Sequence, residues 1–467
     1  MAKKTFLENF YNVSPPWVQE LMLNGYALRL HRQRFGKKFL TLLDYLNKSQ
    51  WLSNSDLIEL QNEKLRHLIK HAYETVPYYQ WRMRERKLGP DDIKTVDDLV
   101  KLPLLTREDV RTNLEKLISQ KYSKRQLVGG HTSGTTGSPL QFYWDKDTCL
   151  MNNAVDWRQK NWAGLQYGDR YAVLLGRTIV PTRQKKPPFW RMNYIHNQLW
   201  LSSFHMSEEN LAFYIKKLED FKPVALEGYP STLFILAKYL ESRNRVFPLR
   251  AVLTSSETLH SIQRETIERQ FCCRVFDFYG LAERTIFATE CERHEGHHIN
   301  MEYGIVEVVD DRGDPMPKGK VGKLVGTSLH NFGMPFIRYV TGDVSSISLE
   351  GCSCGRGLPL MTDVTTKAED IVVTKDGRFI SPSVLTHPFK PLHSIQISQI
   401  VQEEIDHLLI KIVPREYFSD EDRDQLVSAL RERVGSDINI EIQLVQEIPL
   451  TESGKFRWVI SNVPLRF

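Results

Sequence analysis

The sequence is most distinctive at His131-Thr132-Ser133-Gly134-Thr135-Thr136-Gly137-Ser138-Pro139, a short loop rich in glycine and hydroxyl side chains. A β-like run precedes this loop, and a second extended run, Leu140 to Trp144, follows it. Glycine permits positive φ angles and close backbone approach, so consecutive N–H groups can turn inward around an anion. The stretch therefore predicts a phosphate-binding loop. The alternative is an ordinary Ser/Thr/Gly surface loop.

This loop differs from the phosphate-binding loop of kinases and GTPases. Gly134 and Gly137 are too close together for that pattern, and no lysine follows Gly137. A nucleotide hydrolase of the P-loop class is therefore disfavoured.

Three further motifs follow along the chain. They are Asp277-Phe278-Tyr279-Gly280-Leu281-Ala282-Glu283, Arg338-Tyr339-Val340-Thr341-Gly342-Asp343 and Pro449-Leu450-Thr451-Glu452-Ser453-Gly454-Lys455. With the glycine-rich loop, and in this order, they resemble the core motifs of the adenylate-forming enzymes, the superfamily of acyl-CoA synthetases, adenylation domains and luciferases. The resemblance covers nearly the whole chain. Residues from Gln61 to Arg107 look like the phenylacetate–CoA ligase branch in particular, which includes capsule-biosynthesis relatives.

The sequence pattern predicts an α/β fold. Short apolar strands alternate with amphipathic helices between Thr132 and about Thr362, which favours a core of parallel strands flanked by helices. A small α+β module follows from about Lys367. The resemblance implies a large multi-layer N-terminal domain, residues 1–368, that begins with a helical region, residues 1–110. It also implies a small mobile C-terminal lid domain, residues 369–467.

Several capped helices and strands can be placed within this scheme. Ser53 or Ser55 is expected to cap a helix, and Ser207 and Ser231 are expected to cap two more. In the C-terminal module, a hairpin is predicted around Lys375-Asp376-Gly377, and a helix is predicted from about 420 to 434.

The resemblance implies a reaction in which a carboxylate attacks the α-phosphate of ATP, which gives an acyl-adenylate and pyrophosphate. A second nucleophile then displaces AMP. Charge accumulates on the phosphoryl oxygens, so the protein must supply positive charge and positioning. Lys455 matches the catalytic lysine of the family. An ammonium on a C-terminal loop is also able to reach a cleft between domains, as that role requires. The same resemblance assigns a catalytic role to Thr135 and nucleotide binding to the other loop residues, Ser133, Gly134, Thr136 and Gly137.

The resemblance also implies roles for the two middle motifs. Glu283 matches the acid on the magnesium side, since Mg²⁺ prefers oxygen ligands and often takes only one or two carboxylates; a surface glutamate paired with Arg284 is the alternative. Tyr279 offers a flat face to the adenine, and Gly280 permits close approach. Asp343 matches the acid that binds the ribose hydroxyls. Glu257 falls where the family contacts the base.

Two positions depart from the family pattern. Ala282 stands where the family usually has threonine, so a hydroxyl contact to phosphate is missing. Lys367 occupies the place where the family usually has an arginine, in the hinge between the two domains. The resemblance counts this position among the nucleotide-binding residues. A lysine cannot make the contacts that are specific to a guanidinium.

The cysteines carry a separate signal. Cys291 precedes His294, His297 and His298, and Cys352-Ser353-Cys354 follows later in the chain. Structural zinc is usually held by four such sulfur and nitrogen ligands, so we expect a structural zinc on Cys291, His297, Cys352 and Cys354. Which of the three histidines binds is left open by the spacing.

Composition restricts the class of protein. The chain has 467 residues, with 62 Lys and Arg against 57 Asp and Glu, and a formal net charge of +5 at pH 7. This balance argues against a nucleic-acid-binding protein. No targeting segment is visible, no run reaches the roughly 18 to 20 apolar residues that span a bilayer, and the six cysteines are dispersed. We therefore expect a cytoplasmic protein without a membrane span.

One basic segment, from Arg29 to Lys38, lies in an amphipathic helical pattern. A solvated helix face is the favoured interpretation, and contact with a membrane surface is the alternative.

Taken together, the motifs predict ATP- and Mg²⁺-dependent, AMP-forming activation of a carboxylic acid, followed by transfer to coenzyme A. The alternatives are an acid–amine ligase, an adenylyltransferase of the same superfamily, or a non-catalytic relative that binds nucleotide.

Overall fold

The computed structural model describes residues 6–132, 140–362, 364, 371–380, 382–389, 391–392, 394–415, 417–449 and 457–463. The helices in this part of the chain are α1 (Phe6–Val13), α2 (Pro16–Arg34), α3 (Lys37–Ser49), α4 (Asn54–Thr75), α5 (Pro77–Glu85), α6 (Arg107–Thr112), α7 (Leu114–Leu117), α8 (Lys146–Trp162), α9 (Glu208–Phe221), α10 (Pro230–Ser242), α11 (Ser261–Phe271), α12 (Pro382–Leu385) and α13 (Asp420–Val434).

The strands are β1 (Val128–His131), β2 (Gln141–Trp144), β3 (Tyr171–Leu174), β4 (Trp190–Asn193), β5 (Gln198–Leu201), β6 (Ala225–Gly228), β7 (Ala251–Ser255), β8 (Arg274–Gly280), β9 (Phe287–Glu290), β10 (His297–Ile299), β11 (Gly304–Val309), β12 (Gly322–Ser328), β13 (Tyr339–Ser345), β14 (Leu360–Met361), β15 (Val372–Val373), β16 (Phe379–Ile380), β17 (Ile395–Glu404), β18 (His407–Pro414), β19 (Asn439–Leu444) and β20 (Val459–Ser461).

A nine-stranded sheet forms the centre of the molecule, in the order β14-β10-β9-β8-β7-β6-β3-β5-β4. The five strands β5, β3, β6, β7 and β8 are parallel, and the outer strands are antiparallel to their neighbours. The predicted α/β fold with a parallel core is therefore confirmed. Because the carboxyl ends of parallel strands meet at one edge, that edge is where a ligand is expected to bind.

Helices cover both faces of this sheet. Successive strand residues point to opposite faces. One face packs on α9, α10 and α11 and includes Ala172, Leu174, Leu226, Val252 and Val275. The other face packs on α3 and α8 and includes Tyr171, Val173, Ala225, Ala251 and Phe276. This two-sided burial explains why the parallel strands are apolar throughout.

Helix caps agree with the sequence in two cases and differ in one. The side chain of Ser53 accepts from the backbone N–H of Asp56 at the start of α4, and Ser207 does the same for Asn210 at the start of α9. The cap predicted at Ser231 is wrong, because α10 begins at Pro230 with Tyr229 at its N-cap position. A proline is favourable in the first turn because it lacks the N–H that would remain unpaired there.

The N-terminal helices support a smaller antiparallel sheet, β11-β12-β13. The phenol of Tyr79 in α5 donates to the carbonyl of Pro335 at 3.0 Å. The N–H of Leu105 donates to the carbonyl of Arg338, and the carbonyl of Leu105 accepts from the N–H of Val340 in β13. Arg338 is buried; its guanidinium pairs with Glu307 at 2.9 Å and donates to the carbonyl of Leu102 at 2.7 Å. Arg338 therefore holds the segment that leads to Asp343.

The C-terminal region is the predicted α+β module. It contains the four-stranded sheet β19-β18-β17-β20 and α13, which spans residues 420 to 434 as expected. The predicted hairpin is β15 and β16, with Gly377 at a φ of 71° in its turn. The hairpin is bonded to the larger part of the chain, since the N–H of Phe379 donates to the carbonyl of Met206 at 2.7 Å. The domain boundary at 368/369 lies outside the described residues and stays a prediction.

Within the described residues, no helix is both long enough and apolar enough to cross a bilayer.

A buried ion pair gives the first testable prediction. Nη1 of Arg158 in α8 lies 2.8 Å from Oε1 of Glu302, and both side chains are fully buried. Glu302→Ala would leave an uncompensated buried guanidinium, so we expect the free energy of unfolding to fall by about 3–5 kcal/mol. Urea unfolding measures this. The control is Asp44→Ala, which breaks an exposed pair with Lys48 and should cost about 0–1 kcal/mol. Equal losses in the two variants would contradict the importance of the buried pair.

Candidate functional site

Those predicted nucleotide-binding residues that the structure describes gather at the carboxyl edge of the central sheet. Tyr279 and Gly280 are the last residues of β8, and Glu283 follows in the next turn. Glu257 follows the adjacent strand β7, and Asp343 lies in β13 of the smaller sheet. Elements that are far apart in sequence thus bring these residues to one place, as a ligand site at a parallel sheet requires.

Tyr279 and Asp343 are in direct contact. The phenol of Tyr279 donates to Oδ2 of Asp343 at 2.7 Å. Burial, followed by the negative charge of Asp343, raises the pKa of Tyr279 well above its ordinary value, so the phenol stays a donor. The contact joins the motif predicted for adenine to the motif predicted for ribose, and it holds the ring and the carboxylate as one unit.

Glu283 is buried and does not pair with Arg284. The phenol of Tyr339 donates to Oε1 of Glu283 at 2.7 Å, and Glu283 is 5% exposed. Burial raises the pKa of Glu283, whereas the hydrogen bond from Tyr339 and the charge of Arg107 oppose the rise. Arg284 instead stacks on Trp144, with its guanidinium 3.8 Å from the ring centroid. The surface ion pair with Arg284 is therefore excluded.

Arg107 belongs to this site and was missed by the sequence analysis. Its Nη2 donates to Oγ1 of Thr132 at 2.9 Å, directly before the glycine-rich loop, and its charge acts on Glu283. Burial lowers the pKa of Arg107, although a guanidinium stays charged in proteins. The sequence feature that could have indicated Arg107 is its position directly after the Leu102-Pro103-Leu104-Leu105-Thr106 run, at the start of α6.

The glycine-rich loop is carried by a two-stranded ribbon. β1 and β2 are antiparallel, with His131 opposite Gln141, and the N–H of Thr132 donates to the carbonyl of Leu140 at 3.1 Å. The loop residues Ser133, Gly134, Thr135, Thr136 and Gly137 lie outside the described residues, as do Lys367 and Lys455. The ribbon nevertheless fixes both ends of the loop beside Arg107.

Glu257 contacts a helix. Its Oε2 accepts from the backbone N–H of Ser231 at 3.1 Å, in the first turn of α10. A carboxylate is favourable at a helix N-terminus, because it satisfies an unpaired N–H and interacts with the helix dipole. The residue therefore supports the edge of the site.

A cluster of sulfur and nitrogen atoms lies at the side of the central sheet. Ligand atoms of Cys291, His298, Cys352 and Cys354 are all within 4.8 Å of one another. The Sγ atoms of Cys291 and Cys352 are 3.6 Å apart, and Sγ of Cys354 is 3.4 Å from Nε2 of His298. Three cysteines and one histidine form a donor set that suits tetrahedral zinc.

The histidine in this cluster is His298, so the placement of His297 in it is wrong. His297 and His298 are consecutive in β10, and consecutive strand residues face opposite sides. Nε2 of His297 lies 3.2 Å from Oδ2 of Asp277. Nδ1 of His298 lies 3.0 Å from the carbonyl of Leu358, which directs Nε2 towards Cys354. Burial lowers the pKa of His298 to about 4.

Comparisons with known proteins agree with this architecture. Residues 372–462 match the family model described as the CapK C-terminal domain. Protein CapK of Staphylococcus aureus is 29% identical over 472 residues, which cover 98% of this chain and 100% of that protein. The phenylacetate-coenzyme A ligase of Thermus thermophilus is 25% identical over 465 residues, 89% of this chain and 99% of that enzyme.

The fold agrees with a solved ligase structure. 2-Hydroxyisobutyryl-CoA ligase, in complex with 2-HIB-AMP and CoA in the thioesterification state, aligns with a TM-score of 0.58 and 19% identity. The alignment covers 87% of this chain and 90% of that one. The sequence relatives and this fold together confirm the resemblance of the chain to the phenylacetate–CoA ligase-like branch of the adenylate-forming enzymes, the branch that includes CapK.

Proposed function

We propose that this protein is an AMP-forming ligase that activates a carboxylic acid with ATP. The observation that carries the proposal is the convergence of Tyr279, Glu283 and Asp343 at the carboxyl edge of the sheet, through the contacts of Tyr279 with Asp343 and of Tyr339 with Glu283. Arg107 adds a half-buried positive charge between Glu283 and the ribbon that flanks the glycine-rich loop. The relatives named phenylacetate-coenzyme A ligase support the same reaction class.

Each residue then has a role in adenylation. Tyr279 stacks on adenine, Asp343 accepts hydrogen bonds from the ribose hydroxyls, and the glycine-rich loop contacts the phosphates through its N–H and hydroxyl groups. Glu283 is the residue that would hold Mg²⁺, which supplies charge neutralisation on the phosphates. Lys455 stabilises the charge that develops when the carboxylate attacks the α-phosphate and pyrophosphate leaves.

We assign coenzyme A as the acceptor. Its thiol would attack the acyl carbonyl, form the thioester and release AMP. The support comes from the phenylacetate-coenzyme A ligase relatives and from a fold neighbour solved with a substrate adenylate and CoA. An amine acceptor, or no second step, is the alternative that product analysis distinguishes.

The central experiment measures pyrophosphate release with ATP, Mg²⁺ and a panel of aryl, fatty, sugar and amino acids. We expect release that depends on one class of acid, and a loss of about 100-fold or more in Lys455→Ala, because a charge that stabilises the transition state is removed. Products formed with coenzyme A or with amines then identify the acceptor.

The matched control is Lys375→Ala, which removes an exposed C-terminal lysine paired with Asp406 and should leave the rate unchanged. Unchanged turnover in Lys455→Ala would refute its role. ATP binding without acid-dependent release across the panel would favour the non-catalytic alternative.

The raised pKa of Glu283 predicts a pH dependence. Mg²⁺ binds the ionised carboxylate, and burial raises the pKa of this group, so protons compete with the metal at a higher pH than for an exposed glutamate. We expect the Mg²⁺ concentration that gives half-maximal pyrophosphate release to increase as the pH is lowered towards the raised pKa of Glu283, and to do so at a higher pH than an exposed glutamate would require. Glu283→Gln keeps the size of the side chain but should weaken Mg²⁺-dependent ATP binding and remove its pH dependence. The same pH dependence in this variant would show that another group titrates.

We further propose that Cys291, His298, Cys352 and Cys354 bind one structural zinc ion. The four side chains place three sulfur atoms and one nitrogen atom within 4.8 Å of one another, which is the number of ligands that tetrahedral zinc takes. The contact of Nδ1 with the carbonyl of Leu358 orients the ring of His298. The site joins the edge of the central sheet to residues 352–354.

Metal analysis of protein purified without chelator tests this site. We expect about one zinc per chain, lost in His298→Ala, and a lower melting temperature in both the variant and the chelated protein. His297→Ala is the matched control, because the adjacent histidine contacts Asp277 instead, and it should retain zinc. Protein without zinc, or zinc retained in His298→Ala, would refute the assignment.

A further inference from the structure

Helix α2 attaches to the molecule through polar side chains. Oε1 of Gln19 accepts from Nε of Arg191 at 2.9 Å, and Glu20 accepts from the backbone N–H of Met192 at 2.9 Å. Nδ2 of Asn24 donates to the carbonyl of Met192 at 2.8 Å. A surface helix usually buries its large apolar residues and leaves its polar ones in water. In α2, by contrast, polar side chains form the hydrogen bonds to β4.

Large apolar side chains of α1 and α2 point into solvent instead. Trp17 is 69% exposed and Leu21 67% exposed, and their spacing of four residues places them on one side of α2, in line with Leu28. In α1, Leu7, Phe10 and Val13 are also exposed, and the helix is fixed by the Tyr11 hydroxyl, which donates to the carbonyl of Ile179 at 2.6 Å. We call the six exposed residues the N-terminal apolar stripe. Six large apolar side chains exposed within 22 residues of the chain are more than scattered surface residues require, and such a concentration is typical of an interaction site.

The chain after this stripe is strongly basic. Residues 29–44 contain five Lys and Arg and one acid, Asp44. Within the described part of the chain, no ion pair is formed by Arg29, Arg32, Arg34, Lys37 or Lys38. Lys37 and Lys38 also stand in the first turn of α3, where the helix dipole is positive and no side chain caps the helix. Cations are unfavourable at that end, so an anionic partner would relieve the repulsion.

A cleft of about 740 Å³ continues from these lysines along α3. Lys37, Lys38 and Lys64 supply three positive charges against the one carboxylate of Asp147, and leucine side chains supply apolar lining. An apolar cleft with several ammonium groups suits a molecule that combines a hydrocarbon chain with an anionic head.

We propose that the N-terminal apolar stripe and the basic segment from Arg29 to Lys38 bind the surface of an anionic membrane. Exposed tryptophan, leucine and phenylalanine near cations that form no ion pair with the described residues are the combination by which in-plane helices insert at a lipid headgroup boundary. A second copy of this chain fits less well, because a two-fold contact would bring two sets of five positive charges together. The helices lie on the surface and do not span the bilayer.

Vesicle co-sedimentation of the full-length protein tests this proposal. We expect binding to vesicles of phosphatidylglycerol and phosphatidylcholine, and much weaker binding to phosphatidylcholine alone. Phe10→Ser/Trp17→Ser/Leu21→Ser and, separately, Arg29→Gln/Arg32→Gln/Lys37→Gln/Lys38→Gln should each reduce binding by about tenfold or more. The matched control is Leu349→Ser/Tyr417→Ser, which removes two similarly exposed residues elsewhere and should bind as wild type.

Three results would overturn the proposal: no binding to anionic vesicles, binding unaffected by both variants, or dimerisation in solution that the apolar variant abolishes. Melting temperatures of all variants establish that they fold. Pyrophosphate release without vesicles is independent of this surface, so failure here leaves the proposed ligase reaction intact.

Discussion

The position of α8 depends on the buried guanidinium of Arg158. That one group pairs with Glu302, donates to the carbonyl of Leu46 at the end of α3, and bonds to Asn300 in the turn between β10 and β11. A charge without contact with water needs acceptors for its donors, and here both terminal nitrogens of Arg158 have them, although its Nε has none among the described residues. This network therefore favours one arrangement of α3, α8 and that turn. Because α8 covers one face of the central sheet, the network also sets the distance between that face and the N-terminal helices.

The start of α8 also positions segments of the candidate site. Its N-cap Asp145 accepts from Thr148 within the helix and from the N–H groups of Phe332 and Gly333 in the segment before β13. Asp145 directly follows β2, one of the two strands that carry the glycine-rich loop. Strand β2, α8 and the segment that leads to Arg338 and Asp343 are therefore positioned by shared hydrogen bonds. Such shared bonds fix the relative positions of the groups that we propose for nucleotide binding.

Much of the fold could be predicted because local patterns and tertiary packing agree. The apolar runs that became β3, β7 and β8 are buried on both faces, and the serines at 53 and 207 cap helices that also have an apolar side. The motifs also singled out Tyr279, Glu283 and Asp343, which the structure brings to one place, and their roles towards a nucleotide stay predictions. The sequence could not predict the contact of Tyr339 with Glu283, nor the role of Arg107, since each depends on how distant elements pack. His297 and His298 show the limit most clearly, because strand pairing alone decides which of two adjacent histidines faces the cysteines.

The cysteine and histidine cluster has a consequence for the small sheet that carries Asp343. Cys291 and Cys352 are separated by 61 positions, and the intervening chain contains β11, β12 and β13. A metal ion bound to both cysteines would close this stretch into a loop. If the unfolded chain retained the ion, the loop would stay closed in the unfolded state as well. Closure removes many of the conformations that the stretch would otherwise gain on unfolding, and this loss grows with the logarithm of loop length. A metal ion bound at the edge of the molecule would in this way favour the ordered state of β13, the strand that carries Asp343.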